Sequence, residues 1–476
     1  MKINWLLAKS EQFIRSRFST VVIFFLILLF ALARCRVAFA TGQYGVTSHM
    51  GFAEARKTLG GLDAGSYIQG AISLVDGSYR SSANDFIWEL WPPGLSIVES
   101  AIITIFGLAA RPLLVLAVSS SILVALATSL LWRYALKNRM RSATVLLLVF
   151  LLFSSVTQGW LLDQGIMYAE GFFLFFSICS LIVLATYRSN RVYHLIAAGA
   201  LLGFAAYFRA VGFTVIQLIL GVGVAFFCAS VLLLSKTKFR IIAHKSFDES
   251  KKFIVIGFIA LCVTLPWSIF RGSWLKINPL QWVITSNATW QAVWLSDKKL
   301  QESGWGITKG IDNWACHLDQ VRCANFANPQ GRTINFFWET LNVVLKHPIK
   351  FLEMRISAAW EYWILNGRWL YPPQSKIPAA IELTEGILFL GILIIAIVVM
   401  VRTFKSARLL VEIELFALAG STLPLLAYHL ESRYFIPAKT FSVVIIILNY
   451  PYLEDKFKLE RIRLSASKIL TWKKWT

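Results

Sequence analysis

Asp63, Asp163, Glu170, Arg209, His429, Glu431 and Arg433 stand beside or between long apolar stretches of this chain. Ionisable groups next to a bilayer core are costly to hold there, so each is a functional candidate by default. Asp63 lies in Leu62-Asp63-Ala64-Gly65-Ser66-Tyr67, and Glu170 opens the apolar stretch Gly171 to Ala185. A carboxylate so placed can take the proton from an acceptor hydroxyl as that hydroxyl attacks an anomeric carbon. A lipid phosphate departing from that carbon mainly needs cations, and the planar donor fork of arginine supplies one. Asp63 and Glu170 therefore suit the catalytic work, with Asp163 a weaker candidate, while Arg209 and Arg433 suit the phosphate. Tyr67, Trp91, Tyr168, His429, Glu431 and Tyr434 are close in sequence to these groups and are candidate substrate-binding residues. Plainer roles compete. Asp63 can cap a helix, Glu170 can sit in a packing ion pair, and the arginines can snorkel to the interface.

The elements that position these residues follow from composition. Of 476 residues, 57% are hydrophobic, and the mean hydropathy is +0.62. Apolar runs fall at 19–40, 93–132, 142–158, 165–187, 194–208, 211–235, 252–271, 379–402, 408–428 and 434–452. Most match the thickness of a bilayer core. Backbone inside that core must satisfy its own hydrogen bonds, so the runs are helices. The alternating strands of an outer-membrane barrel are not seen. The expected fold is an all-α polytopic membrane protein of about 10–12 membrane helices, with outer-face loops carrying short interfacial helices.

Charge sets the expected topology. The net charge of +21 comes largely from short loops and tails, which is the mark of membrane orientation and argues against nucleic acid. Starting with Lys2, Lys9, Arg15 and Arg17 inside, residues 41–92 fall outside. The basic loops at 133–141, 188–191, 236–252 and 402–408, and the tail after Tyr452, all fall inside, provided that 93–132 crosses once net. That run is long enough for two spans and is interrupted by Arg111-Pro112, so loop charge decides its parity. Asp63, Asp163, Glu170, Arg209 and the 429–433 cluster then share the outer face. Ala38-Phe39-Ala40 has the form of a signal cleavage site, but Arg34 and Arg36 separate it from the apolar run and favour an uncleaved first helix.

Four parts are expected: an N-terminal membrane catalytic module at 1–271 with outer loop 41–92, a Trp-rich outer segment at 272–378 serving as lid or acceptor region, C-terminal membrane helices at 379–452, and a basic cytoplasmic tail at 453–476. Within the outer segment, Trp360, Tyr362 and Trp363 suit an interfacial helix over 351–366. Its tryptophans from Trp274 onward, with Trp267 just ahead of it, could stack on sugars or pack as a lid. Cys316 and Cys323 could pair in an oxidising compartment, whereas Cys35, Cys179, Cys228 and Cys262 lie in or beside apolar runs as packing residues.

Five local features resemble the GT-C superfamily of glycosyltransferases, in the branch of dolichyl-phosphate-mannose protein mannosyltransferases and bacterial lipid A aminoarabinose transferases. They are Asp63 with Tyr67, Trp91-Pro92-Pro93-Gly94, Tyr168-Ala169-Glu170 ahead of a Phe-rich helix, Gly203 to Arg209, and Glu431-Ser432-Arg433-Tyr434 with Pro437. The resemblance implies a GT-C helical bundle with Asp63 as general base and a polyprenyl-phosphate-linked sugar as donor. A glycan, lipid or protein is the acceptor, and transfer proceeds with inversion at the sugar. Ala64 stands where the family often has a second acidic residue, and Trp91 where it has histidine; both weigh against a metal site, although a divalent cation stays open. The expected place is a plasma (inner) membrane, with both termini cytoplasmic and the site on the periplasmic or extracellular face. A transporter or flippase for a lipid-linked substrate and a non-catalytic assembly subunit are the alternatives.

Overall fold

A computed structural model describes residues 16–40, 49–59, 63–152, 169–187, 191–234, 240–275, 293–294, 314–322, 335–364, 379–427 and 435–453. Among these there are helices and no strands. The first eight are α1 (Arg17–Ala40), α2 (Phe52–Thr58), α3 (Asp63–Asp76), α4 (Asp85–Leu90), α5 (Gly94–Phe106), α6 (Pro112–Lys137), α7 (Ser142–Leu152) and α8 (Glu170–Ala185). There follow α9 (Val192–Phe208), α10 (Ala210–Leu234), α11 (Arg240–Leu275), α12 (Trp314–Leu318), α13 (Phe336–Lys346), α14 (Pro348–Ile364), α15 (Ala379–Thr403) and α16 (Arg408–Ala427). The helix Ile436–Leu453 is α17.

Five stretches among the described residues are long and apolar enough to cross a bilayer: Val118–Lys137, Ala210–Leu233, Ser246–Leu275, Leu383–Thr403 and Ile436–Leu453. Local features shorten or interrupt several of the other apolar helices. The run 93–132 divides at Gly107, whose φ of 78° suits glycine, and restarts with Pro112 at the first helical turn, where a missing N–H costs nothing. At 1.5 Å per residue, α5 rises only about 20 Å and α6 about 39 Å. Helices α8 and α9 are bounded by Glu170 and Arg209 and stop at 16 and 17 residues. The first two turns of α16 carry Arg408, Glu412 and Glu414.

Helix α9 packs against α8, α10 and α11, α10 packs against α11, α6 joins α1 to α8, and α16 closes on α8 and α10. Side-chain contacts tie the basic loops to one end of this bundle. Trp132 of α6 donates to Ser19 of α1 at 3.2 Å. The Tyr134 hydroxyl donates to the Leu448 carbonyl at 3.1 Å. Thr403 at the end of α15 donates to Asn449 at 2.9 Å. The ion pairs Lys252–Glu249 and Arg408–Glu412, both 2.8 Å, belong to the same end. Glu170, Arg209 and the end of α11 lie at the other end, called here the site end.

A second, smaller apolar cluster joins Val293, Trp294, Trp314, Ala315, Phe336 and Val343. Trp294 donates its indole N–H to Thr340 at 2.9 Å, and Trp314 packs on Phe351 with ring centroids 4.6 Å apart. Both indoles are 1% exposed, so they are committed to packing and do not offer a sugar platform. Cys316, in this cluster, is disulfide-bonded; Cys323 lies outside the described residues. Two expectations need correction. Cys228 and Cys262 face outward and are not core residues. In α14, Trp360 is exposed as an interfacial residue should be, but Trp363 is buried against Phe435 and Lys439.

Candidate functional site

Arg209 is the single residue between α9 and α10, in extended conformation (φ −141°, ψ 129°). The Gly212 amide donates back to its carbonyl at 2.9 Å. A Cβ on Gly212 would come within 2.8 Å of Ala206 Cα, so glycine is what lets the corner close this tightly. The corner aims the guanidinium at the first residue of α8: Arg209 Nη1 lies 3.2 Å from Glu170 Oε1. The two side chains are 11% and 2% exposed. No described residue hydrogen-bonds the Glu170 carboxylate, so its charge rests on Arg209. Phe172 stacks on Phe208 at 4.8 Å, fixing the two helix ends on which the pair sits.

Neighbouring segments join this pair through direct contacts. The Gly94 Cα abuts the Tyr207 carbonyl, where an added Cβ would lie 2.6 Å from the oxygen. Two residues on, Ser96 donates to the Tyr67 carbonyl at 2.9 Å. The Tyr67 ring meets the Trp91 ring at 5.8 Å. Phe441 of α17, four residues past Pro437, meets Phe173 at 6.2 Å. Segments 63–67, 91–94, 169–170 and 203–209 are thus linked at one end of the bundle, with α17 alongside. Trp91 Nε1 is buried there without a hydrogen-bond partner among the described residues. Asp63 is the first residue of α3, one turn before Tyr67, and its side chain is outside the described set. Asp163, Tyr168, His429, Glu431, Arg433 and Tyr434 also lie outside it.

No known protein family, curated protein or solved structure matches the chain. The reading of the site rests on its residues alone. Among the described residues no three His, Cys, Asp or Glu side chains are grouped to hold a metal ion.

Among the buried charged residues that escaped the sequence reading are four, Glu99, Arg271, Lys439 and Glu414, with contacts that bear on the bundle. Glu99, on the buried face of α5, is 2% exposed, and its Oε2 has no partner among the described residues. Arg271 of α11 donates to the Trp88 carbonyl at 3.3 Å, beside rings of Trp88, Trp267 and Trp274. Lys439 of α17 donates to the Trp363 carbonyl at 3.0 Å and lies over the Trp363 and Phe389 rings. Glu414 of α16, at the basic end, accepts from Asn449 at 2.6 Å. A signal existed for three of them: Glu99, Glu414 and Lys439 each interrupt an apolar run. Arg271 ends such a run and reads as a snorkelling residue until its burial is seen.

Proposed function

We propose that this chain is a membrane glycosyltransferase that moves a hexose or pentose from a polyprenyl-phosphate donor to a glycan, lipid or protein acceptor at the outer membrane face. The observation that supports the reading is the buried Glu170–Arg209 pair, joined through Tyr207, Gly94 and Ser96 to Tyr67 and Trp91. In this reading Asp63 takes the proton from the acceptor hydroxyl. Arg209 and Arg433 stabilise the charge that develops on the departing phosphate, where preorganised donors contribute most. Glu170 holds the Arg209 guanidinium in place until phosphate competes for it. The donor's lipid tail stays in the bilayer, which keeps its phosphate at the level of the helix ends where Arg209 stands. The basic end, with Lys137, Arg191, Lys252, Arg402 and Arg408, is cytoplasmic by the positive-inside bias.

The test is a deletion strain complemented with the wild-type gene or with Asp63→Asn, followed by mass spectrometry of envelope glycans and lipids. The deletion should lack one sugar from a defined product, and Asp63→Asn should reproduce that loss at normal protein level. A complete product in the Asp63→Asn strain removes the base role.

One observation favours a second reading. The Glu170 carboxylate is 2% exposed, as a packing ion pair would be in a non-catalytic assembly subunit. The two readings part on whether the pair can be exchanged without losing function.

A further inference from the structure

Helix α14 carries an apolar row that no described residue covers. Ile349, Leu352, Ile356 and Trp360 are 80%, 51%, 55% and 57% exposed. At 100° per residue they occupy an arc of about 80° on one side of the helix. The opposite side is committed inward, with Arg355 at 1%, Ala358 at 2% and Phe351 on Trp314. Preceding helix α13 extends the apolar surface with Trp338 and Leu345, which are 57% and 69% exposed. Lys346 and Lys350 flank the elbow between the two helices, both exposed, with Glu353 also exposed one turn along.

The end of α14 fixes where this surface lies. Ile364 packs against Gly386, in the second turn of α15, so closely that a Cβ there would lie 2.4 Å from its carbonyl. Lys439, in the first turn of α17, holds the Trp363 carbonyl at 3.0 Å. Both α15 and α17 are long and apolar enough to cross a membrane, and Leu383, Ile387 and Leu388 of α15 are exposed. The apolar row therefore starts where an outward-facing membrane surface ends. A helix with one apolar and one packed face, flanked by lysines, is the pattern of an interfacial helix on an anionic surface.

We propose that the α13–α14 hairpin lies in the headgroup layer of an anionic phospholipid bilayer at the site end. Ile349, Leu352, Ile356 and Trp360 face the acyl chains, and Lys346 and Lys350 face the phosphates. This holds whether or not the chain is a glycosyltransferase. The test uses the full-length protein in nanodiscs of phosphatidylcholine with phosphatidylglycerol. Cys35, Cys179, Cys228 and Cys262 are replaced by alanine, and an environment-sensitive fluorophore is attached at Ile356→Cys or Ser357→Cys. The label at 356 should be quenched by headgroup-proximal doxyl lipid and shielded from iodide, while the label at 357 stays open to iodide. Replacing phosphatidylglycerol by phosphatidylcholine should weaken the lipid quenching at 356, and Lys346→Gln with Lys350→Gln should remove that dependence. Equal iodide access at both positions overturns the proposal. An interchain disulfide through Ile356→Cys overturns it in favour of a second copy of the chain, and quenching indifferent to lipid charge overturns its anionic part.

Discussion

Two carboxylates at opposite ends of the bundle, Glu170 and Glu414, are buried by different means. At the site end Glu170 meets a guanidinium at 3.2 Å and no hydrogen-bond donor of the described set. At the basic end Glu414, fully buried, accepts from the Asn449 amide at 2.6 Å, and Asn449 in turn accepts from Thr403 at 2.9 Å. The first arrangement places two full charges where water is scarce, and the second uses neutral dipoles. Neutral networks are a common way to lock helices together in a membrane. A dry ion pair is a poor way to gain stability, because desolvation offsets most of the attraction. In the proposed function the pair beside Tyr67, Trp91 and Gly94 serves a substrate and not stability.

The contrast can be broken most severely at Arg209. Arg209→Met leaves Glu170 buried and uncompensated, and should cost about 3–5 kcal/mol. Adding Glu170→Gln should return most of that loss. Thermal unfolding of the purified protein in detergent measures both, and equal losses in the single and double variants would show that the pair carries no coupling. Next comes Asn449→Leu, which strips Glu414 of its donor and should cost about 1–3 kcal/mol. By the same comparison Glu414→Gln, which keeps an acceptor for the Asn449 amide, should stay within about 1 kcal/mol of wild type. A large loss in Glu414→Gln would mean that the Glu414–Asn449–Thr403 network also depends on charge. Gly94→Ala presses a methyl onto the Tyr207 carbonyl and should cost about 1–3 kcal/mol, or displace the Trp91 segment from α9. Activity falling more than stability in that variant ties the contact to function.

The smallest effect is expected at the solvent-facing end of α3. The Ser78 hydroxyl, and then its backbone N–H at 2.8 Å, hold the Asp76 carboxyl below its usual range. A depressed folded pKa stabilises above the unfolded value of about 3.9 and loses that contribution as pH falls through the folded value. Asp76→Ala should therefore differ from wild type by less than about 0.5 kcal/mol at pH 7, because the site is exposed. The difference should fade as pH falls through the folded value, and a difference that persists below it would point to helix termination instead of charge.

Much of the helical architecture was legible in the sequence, because apolar length and the placement of lysine and arginine follow from the bilayer. The break at Arg111-Pro112 was visible, but the shortness of α5 was not, since Gly107 sets it through a backbone torsion. An ion pair was one of two readings of Glu170, with no partner named. Choosing between them needed the tight corner at Gly212, which no hydropathy pattern carries. Glu99 and Lys439 were hidden for another reason. One charge in a long apolar run barely changes its average, whereas its physical cost depends wholly on what surrounds it.

The most direct measurement is product formation by the exchanged pair, Glu170→Arg with Arg209→Glu, beside each single variant. The account predicts that the double variant regains thermal stability over the singles and yet makes no product, because the guanidinium has left the phosphate position. Restored product together with restored stability would contradict it and leave Glu170 and Arg209 as a packing pair.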